Sequence, residues 1–337
     1  MKILVTGGAG YIGSHTVVEL LKAGHDVVIV DNLSNSNIGV LSRIFEITGK
    51  QVEFYNVDIR NYDALDKVFE KHTFDCCIHF AGLKAVGESV SNPVMYYDNN
   101  VAGTINLLKI SDKYNCKNLI FSSSATVYGV SEKMPISEDC KVGVATNPYG
   151  YTKVIIEQIL TDLQKADNNW NIVLLRYFNP IGADKSSKIG ENPNGIPNNL
   201  MPYITQVAIG KRAYLNIFGN DYNTKDGTCI RDYIHVTDLA KGHVKALKNI
   251  RENKGLSVYN LGTGIGYSVL DVINTFEKAT GLKIPYKFAP RRDGDVVVNY
   301  ADATKAKKEL GWVAENDLSD MCLDSWNWQK NNPNGYE

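Results

Sequence analysis

Tyr149-Gly150-Tyr151-Thr152-Lys153 sets a phenol and an ammonium four residues apart, one turn of a helix. A free tyrosine, with a pKa of about 10, is a poor base near neutral pH. A cation on the same helix face favours the phenolate and equips it to take a proton from an alcohol. Asn147 and Pro148 read as an N-cap and a first-turn proline, so Tyr149 falls in the opening turn. There the helix dipole adds a modest pull toward the anion. Such a pair could draw off a hydroxyl proton while a hydride leaves the carbon beneath it. The same spacing also describes a surface lysine beside a half-buried tyrosine, and what precedes it in the chain decides against that.

The chain opens on a short apolar strand, Met1-Lys2-Ile3-Leu4-Val5-Thr6, followed by Gly7-Gly8-Ala9-Gly10-Tyr11-Ile12-Gly13. Glycines at this spacing serve a tight turn, close approach of backbone to a pyrophosphate, and packing of helix on strand. A helix over 14–23 follows, with Val17, Leu20 and Leu21 on one face and Gly24 as its stop. A second strand over 26–30 ends at Asp31, about 20 residues beyond the glycines, where a carboxylate accepts from a ribose 2′-hydroxyl. That acid would repel a 2′-phosphate, so NAD is expected and NADP disfavoured.

The 337 residues suffice for one large or two ordinary domains. With 44% apolar and 22% charged residues the composition is that of a soluble globular protein. A net charge of −1 gives no electrostatic case for nucleic acid or a membrane surface. No apolar run approaches the ~20 residues of a membrane span, and the N-terminus reads as a strand, not a signal peptide. Cys76, Cys77, Cys116, Cys140, Cys229 and Cys322 show no C-x-x-C spacing, and a reducing cytoplasm is the expected compartment. Cys76 and Cys77 read as small buried hydrophobes. The histidines show no metal-site spacing, and His79 is expected to be structural.

Strand patterns near 2–6, 26–30, 52–57, 75–80, 118–123 and 171–176 alternate with helical ones. The rhythm implies an α/β fold with a doubly wound, mostly parallel Rossmann sheet. Ligands bind such sheets beyond the strand carboxyl ends. Asp58, Phe80-Ala81-Gly82 and Ser122-Ser123-Ser124 fall there. After about 179 the chain becomes rich in Asn, Pro and Gly, as in 190–199, which reads as a smaller α/β substrate domain. The expected division is 1–178 for the dinucleotide and 179–337 for the substrate, with segments of the second part free to rejoin the sheet.

These residues resemble the UDP-glucose 4-epimerase family of the extended short-chain dehydrogenase/reductases. The resemblance runs nearly end to end, through 6–13, 79–89, 96–100, 122–129, 176–180, 198–203 and 231–236. It implies NAD contacts from Gly7, Gly10, Tyr11, Ile12, Gly13, Asp31, Asn32, Asp58, Ile59, Phe80, Ala81, Lys84, Asn99, Ser124, Tyr149, Lys153 and Phe178. It implies a catalytic set of Ser124, Tyr149 and Lys153. Asn179, Asn199, Leu200, Phe218, Arg231, Tyr233, Arg292 and Asp295 would join Ser124 and Tyr149 in holding a UDP-hexose. For Ser124 the competing reading is a strand-end hydroxyl capping nearby backbone, and for Arg231 and Arg292 a surface salt bridge. A diphosphate, however, calls for the fixed fork that arginine supplies.

The resemblance further implies that C4 of the sugar is oxidised to a transient 4-keto-hexose, turned about its diphosphate, and reduced on the other face. It departs from many bacterial members at Asn299, where they carry a tyrosine against the sugar. The smaller side chain leaves room for an acetamido group, so UDP-GlcNAc and UDP-GalNAc are expected as further substrates, unless Tyr300 fills the space. A nucleotide-sugar 4,6-dehydratase would need acids directly after the serine, and Ala125-Thr126-Val127 supplies none. A non-catalytic NAD-binding protein would have no need of Ser124, Tyr149 and Lys153. Family members form homodimers through two helices per subunit, for which 95–113 and 149–166 are the candidates.

Overall fold

The computed structural model describes residues 1–252, 254–292 and 294–336. The first six strands are β1 (Lys2–Thr6), β2 (Asp26–Asp31), β3 (Glu53–Asn56), β4 (Cys76–His79), β5 (Asn118–Ser124) and β6 (Asn171–Tyr177). After them come β7 (Asn179–Ile181), β8 (Leu215–Phe218), β9 (Ile230–His235) and β10 (Leu256–Leu261). The last three are β11 (Gly266–Ser268), β12 (Tyr286–Ala289) and β13 (Val298–Asn299).

The central sheet has seven strands in the order β10-β6-β5-β4-β1-β2-β3, all paired in parallel. Both faces are covered, which is why strands such as Ile3-Leu4-Val5 bury every side chain instead of alternating. On one face Val17, Leu20 and Leu21 of the helix Tyr11–Lys22 pack with Leu239, Ala246 and Leu247 of the helix Val236–Glu252. On the other, Leu65, Val68, Leu107, Ile156 and Leu160 close over Leu4, Cys77 and Leu119. Cys76 and Cys77 are fully buried as hydrophobes, one on each face of the sheet, as their sequence context implied.

Strand order reverses at β1, which has β2 on one side and β4 on the other. The crevice beyond the carboxyl ends of β1 and β4 is therefore the binding position of a doubly wound sheet. The later chain builds a second, smaller layer: β9 lies between β11 and β13 and also pairs β7, and β8 pairs β12. The helix Val236–Glu252 and β10 return from this region to the central sheet. The helix expected near 95–113 is continuous but irregular. A short helix, Pro93–Tyr96, widens into a π turn, Tyr97–Ala102, before Gly103–Lys113.

Candidate active site

The helix Pro148–Ala166 starts as the sequence implies. Asn147 Oδ1 accepts from the Gly150 amide at 2.9 Å, and Pro148 fills the first helical position. Tyr149 thereby faces the end of β5. The Ser124 side chain lies beside its phenol and favours the anion, and Ser124 Oγ accepts from the Thr126 amide at 3.3 Å. The capping reading of Ser124 holds, and the same side chain stands next to Tyr149. Lys153 is buried one turn on, its Nζ donating to the Ser122 carbonyl at 2.6 Å, 4.7 Å from the Phe121 ring and 6.0 Å from that of Tyr149.

The electrostatics correct one expectation. Burial raises the Tyr149 pKa above 10, and the neighbouring Ser124 hydroxyl only partly opposes this. Lys153 gives no resolved help, because its ammonium turns to the Ser122 carbonyl instead of the phenol oxygen. Burial lowers Lys153 itself to about 8, against the pull of Glu157. Glu157, one turn beyond Lys153, accepts from Ser123 Oγ at 2.5 Å and from Arg176, which also donates to Tyr128 Oη at 3.0 Å. Tyr128 in turn donates to Asn260 Oδ1 at 2.7 Å. A buried polar chain thus ties the Tyr149 helix to β5, β6 and β10. Ser123, Tyr128 and Arg176 stand in the motifs noted in the sequence without a role, whereas Glu157 and Asn260 escaped notice, although Glu157 stands four residues after Lys153 on the same face.

Beside this lies the glycine loop. Gly7 has φ +71°, and a Cβ there would meet the Ala81 amide at 2.7 Å. At Gly13 a Cβ would strike the Gly7 carbonyl at 2.2 Å. These glycines let β1, the loop after β4 and the first helix close on one another. Gly10 offers no side-chain cap to the helix Tyr11–Lys22, so the amides of Tyr11, Ile12 and Gly13 open the helix toward the crevice. Asp31 is buried at the end of β2 and accepts from the Ala9 amide at 3.1 Å, which brings the acid against the loop. This cradle of amides and one carboxylate fits a dinucleotide with a free 2′-hydroxyl, while the Phe80 ring packs on His243 and Phe178 packs with Val127 and Tyr128.

The other cofactor candidates surround it. Asn32 donates to Asp58 at 3.0 Å, and Arg60 holds the Asp58 carboxyl down to about 2. Ile59 packs behind Gly103. Asn99 donates to Asn100, and Asn100, unremarked as a site residue in the sequence, grips both the amide and the carbonyl of Leu83 next to Lys84. His79 is structural, wedged between Thr6 and Thr104 at 2.7 and 2.9 Å.

The substrate candidates form a second group. Asp295 gathers both arginines, with Arg292 Nε at 3.0 Å and Arg231 Nη2 at 3.7 Å, while the Arg292 guanidinium lies 4.9 Å over Phe218. The salt-bridge reading of these arginines is realised, and the shared carboxylate aligns two cations side by side. A Cβ on Gly294 would lie 3.6 Å from Thr146, so this loop abuts the start of the Tyr149 helix. In register, Asn179 of β7 faces Tyr233 of β9, and Asn299 of β13 faces Arg231. Asn199 and Leu200 open the helix Leu200–Ala208. Tyr300 turns away from Asn299. Its carbonyl accepts from the Ile136 amide at 2.9 Å, and its ring lies 3.4 Å from where a Cβ on Gly266 would stand. Among the described residues no cluster could hold a metal ion and no helix is long and apolar enough to cross a membrane.

Known proteins match this architecture throughout. The family model described as GDP-mannose 4,6 dehydratase matches residues 4–324. A UDP-glucose 4-epimerase of Bacillus subtilis is 59% identical over 337 residues, covering 100% of this chain and 99% of the relative. The crystal structure of UDP-glucose 4-epimerase from Bifidobacterium longum in complex with NAD+ and UDP superposes with a TM-score of 0.97 at 55% identity, over 99% of this chain and 100% of that one. The UDP-Glc/GlcNAc 4-epimerase of Campylobacter jejuni is 37% identical with a TM-score of 0.84, over 98% of this chain and 99% of that one. Sharing fold and sequence over near-complete length with these proteins, the chain belongs to the UDP-glucose 4-epimerase family of extended short-chain dehydrogenase/reductases.

Proposed function

We propose that the protein is an NAD-dependent isomerase that interconverts UDP-glucose and UDP-galactose by inverting C4 through a transient 4-keto-hexose. One relationship carries the reading: Ser124 beside the Tyr149 phenol, which it favours as the anion, with Lys153 buried one turn below, next to a glycine loop closed by Asp31. NAD, bound by Gly7, Gly10, Tyr11, Ile12, Gly13, Asp31 and Lys153, supplies the oxidation and re-reduction of C4. Tyr149 takes the proton of the sugar 4-hydroxyl and gives it back, with Ser124 bridging the two oxygens. Lys153, buried one turn below the phenol, holds a ribose hydroxyl of the cofactor. Arg231 and Arg292 clamp the diphosphate, so the hexose stays free to turn.

A 4,6-dehydratase is not favoured. Ser124 leads into a tight turn, Ala125–Tyr128, that contains no carboxylate to eliminate water. Wider sugar tolerance follows from Asn299, which leaves the sugar side without a ring while Tyr300 packs over Gly266. We extend the substrate range on that ground to UDP-GlcNAc and UDP-GalNAc.

The working unit in this proposal is a cytoplasmic homodimer serving galactose metabolism. Exposed Val90, Val94, Met95 and Tyr151 lie on or near the two helices expected to pair. Residues 1–178, joined by 236–261, act as the dinucleotide domain, and the rest of 179–337 as the UDP-sugar domain. Incubation of the purified protein with UDP-galactose and no added NAD tests cofactor retention and reaction class together. UDP-glucose should form; net dehydration or no turnover would sink the reading.

A further inference from the structure

Glu191 lies in the loop between β7 and the helix Leu200–Ala208, where nothing in the sequence pattern singles it out. Its Oε1 accepts from Lys84 Nζ at 3.2 Å and from Asn199 Nδ2 at 2.8 Å. The carboxylate is only 10% exposed, whereas the Lys84 side chain is 46% exposed. Lys84 sits on the loop after β4, fixed by Asn100 through both backbone groups of Leu83. Asn199 stands at the head of the helix Leu200–Ala208, on the substrate side.

The backbone that carries Glu191 is itself held. Its carbonyl accepts from Trp328 Nε1 at 3.2 Å, and Tyr336 Oη donates to the Gly190 carbonyl at 3.0 Å. Gly190 lies so close to Trp328 that a Cβ would meet the indole at 2.3 Å. Close by is Tyr11, at the mouth of the glycine loop, whose hydroxyl donates to the Gly182 carbonyl at 2.7 Å. Burial first, then the negative charge of Glu191, raises the pKa of that phenol. One rigidly mounted carboxylate therefore meets the first helix, the Lys84 loop and the substrate-side helix.

We propose that Glu191 is a positioning residue that latches the cofactor crevice, its carboxylate tying Lys84 on the dinucleotide side to Asn199 on the sugar side. The inference rests on the reading that Lys84 faces bound NAD. In this proposal the dinucleotide leaves between the Lys84 loop and the 191–199 segment, and their parting breaks both hydrogen bonds to one oxygen. A charge-assisted bond to a nearly buried carboxylate resists this more than an exposed ion pair would.

The test is the rate at which radiolabelled NAD, loaded into the holoenzyme, exchanges for unlabelled NAD, with bound label read by filtration. Glu191→Gln keeps shape and an acceptor for Asn199 but loses the charge facing Lys84; Glu191→Ala loses both contacts. Release should quicken about tenfold in Glu191→Gln and further in Glu191→Ala, with the thermal midpoint of the Gln variant close to that of the unaltered protein. Adding Glu191→Gln to Lys84→Met should quicken release no further than Lys84→Met does, since the latch acts through that lysine. Should Glu191→Ala not fold, the Gln variant decides. Wild-type exchange rates in the Glu191 variants, or full additivity with Lys84→Met, would overturn the latch. A wild-type protein that neither carries nor takes up NAD would instead overturn the cofactor reading on which it stands.

Discussion

Arg176 and Glu157 meet as a two-pronged ion pair, Nε to Oε1 at 2.9 Å and Nη2 to Oε2 at 2.6 Å, beneath the helix turn that carries Lys153. Both side chains are more than nine-tenths buried. Desolvation is severe for such groups, and only complete pairing makes their burial tolerable. Ser123 gives Glu157 one more donor, and Tyr128 gives Arg176 one more acceptor.

Breaking this pair from one side should be costly. Glu157→Gln or Arg176→Leu is expected to lose roughly 3–5 kcal/mol of stability, because an uncompensated charge or a stripped carboxylate is left inside. Replacing both together, as Glu157→Met with Arg176→Leu, should recover much of that loss. Urea unfolding of the three variants checks this, and equal losses in single and double variants would contradict it.

Tyr149→Phe removes the hydroxyl that exchanges the proton and nothing that shapes the fold. Turnover of UDP-galactose should fall by about 10²–10⁴ while bound NAD is retained. Ser124→Ala leaves the phenol in place and should cost less. A Tyr149→Phe protein of full activity would remove the catalytic assignment altogether.

Asn299→Tyr should fill the space beside the sugar with a ring. Turnover of UDP-GlcNAc is expected to drop at least tenfold relative to that of UDP-galactose, a loss of about 1.4 kcal/mol in discrimination. Competition between the two substrates in one assay gives the ratio. An unchanged ratio would mean that position 299 does not meet the sugar.

Acid should destabilise the protein early. Burial holds His79 down to about 3, and His15 and His243 to about 4, all below the usual 6.5. With folded values depressed, the unfolded chain takes up these protons first. The stability they contribute is present above pH 6.5 and is lost as pH falls from there toward 4. Three such groups give a slope of roughly 4 kcal/mol per pH unit in that window. Urea midpoints at pH 7, 6 and 5 measure it, and a flat profile would show that these rings are protonated in the fold.

Much of the architecture was readable along the chain, because its signals are local. Short strand patterns with apolar centres marked all six leading strands within a residue. Asn147-Pro148 marked a helix start, since an N-cap and a first-turn proline act on their own backbone. The glycine spacing marked the loop because only the missing Cβ lets Gly7 approach Ala81.

What depends on partners distant in sequence was settled only by folding. The reach of Glu191 across 107 residues to Lys84, and the capture of Arg231 by Asp295, leave no periodic trace. The direction of the Tyr149 pKa is of the same kind. A neighbouring lysine argues for a lower value, but desolvation reflects everything packed around the ring, and it raises the phenol while Lys153 turns toward Ser122. Spacing therefore fixes which groups share a turn of helix, whereas burial and pairing across the chain decide which charges those groups can carry.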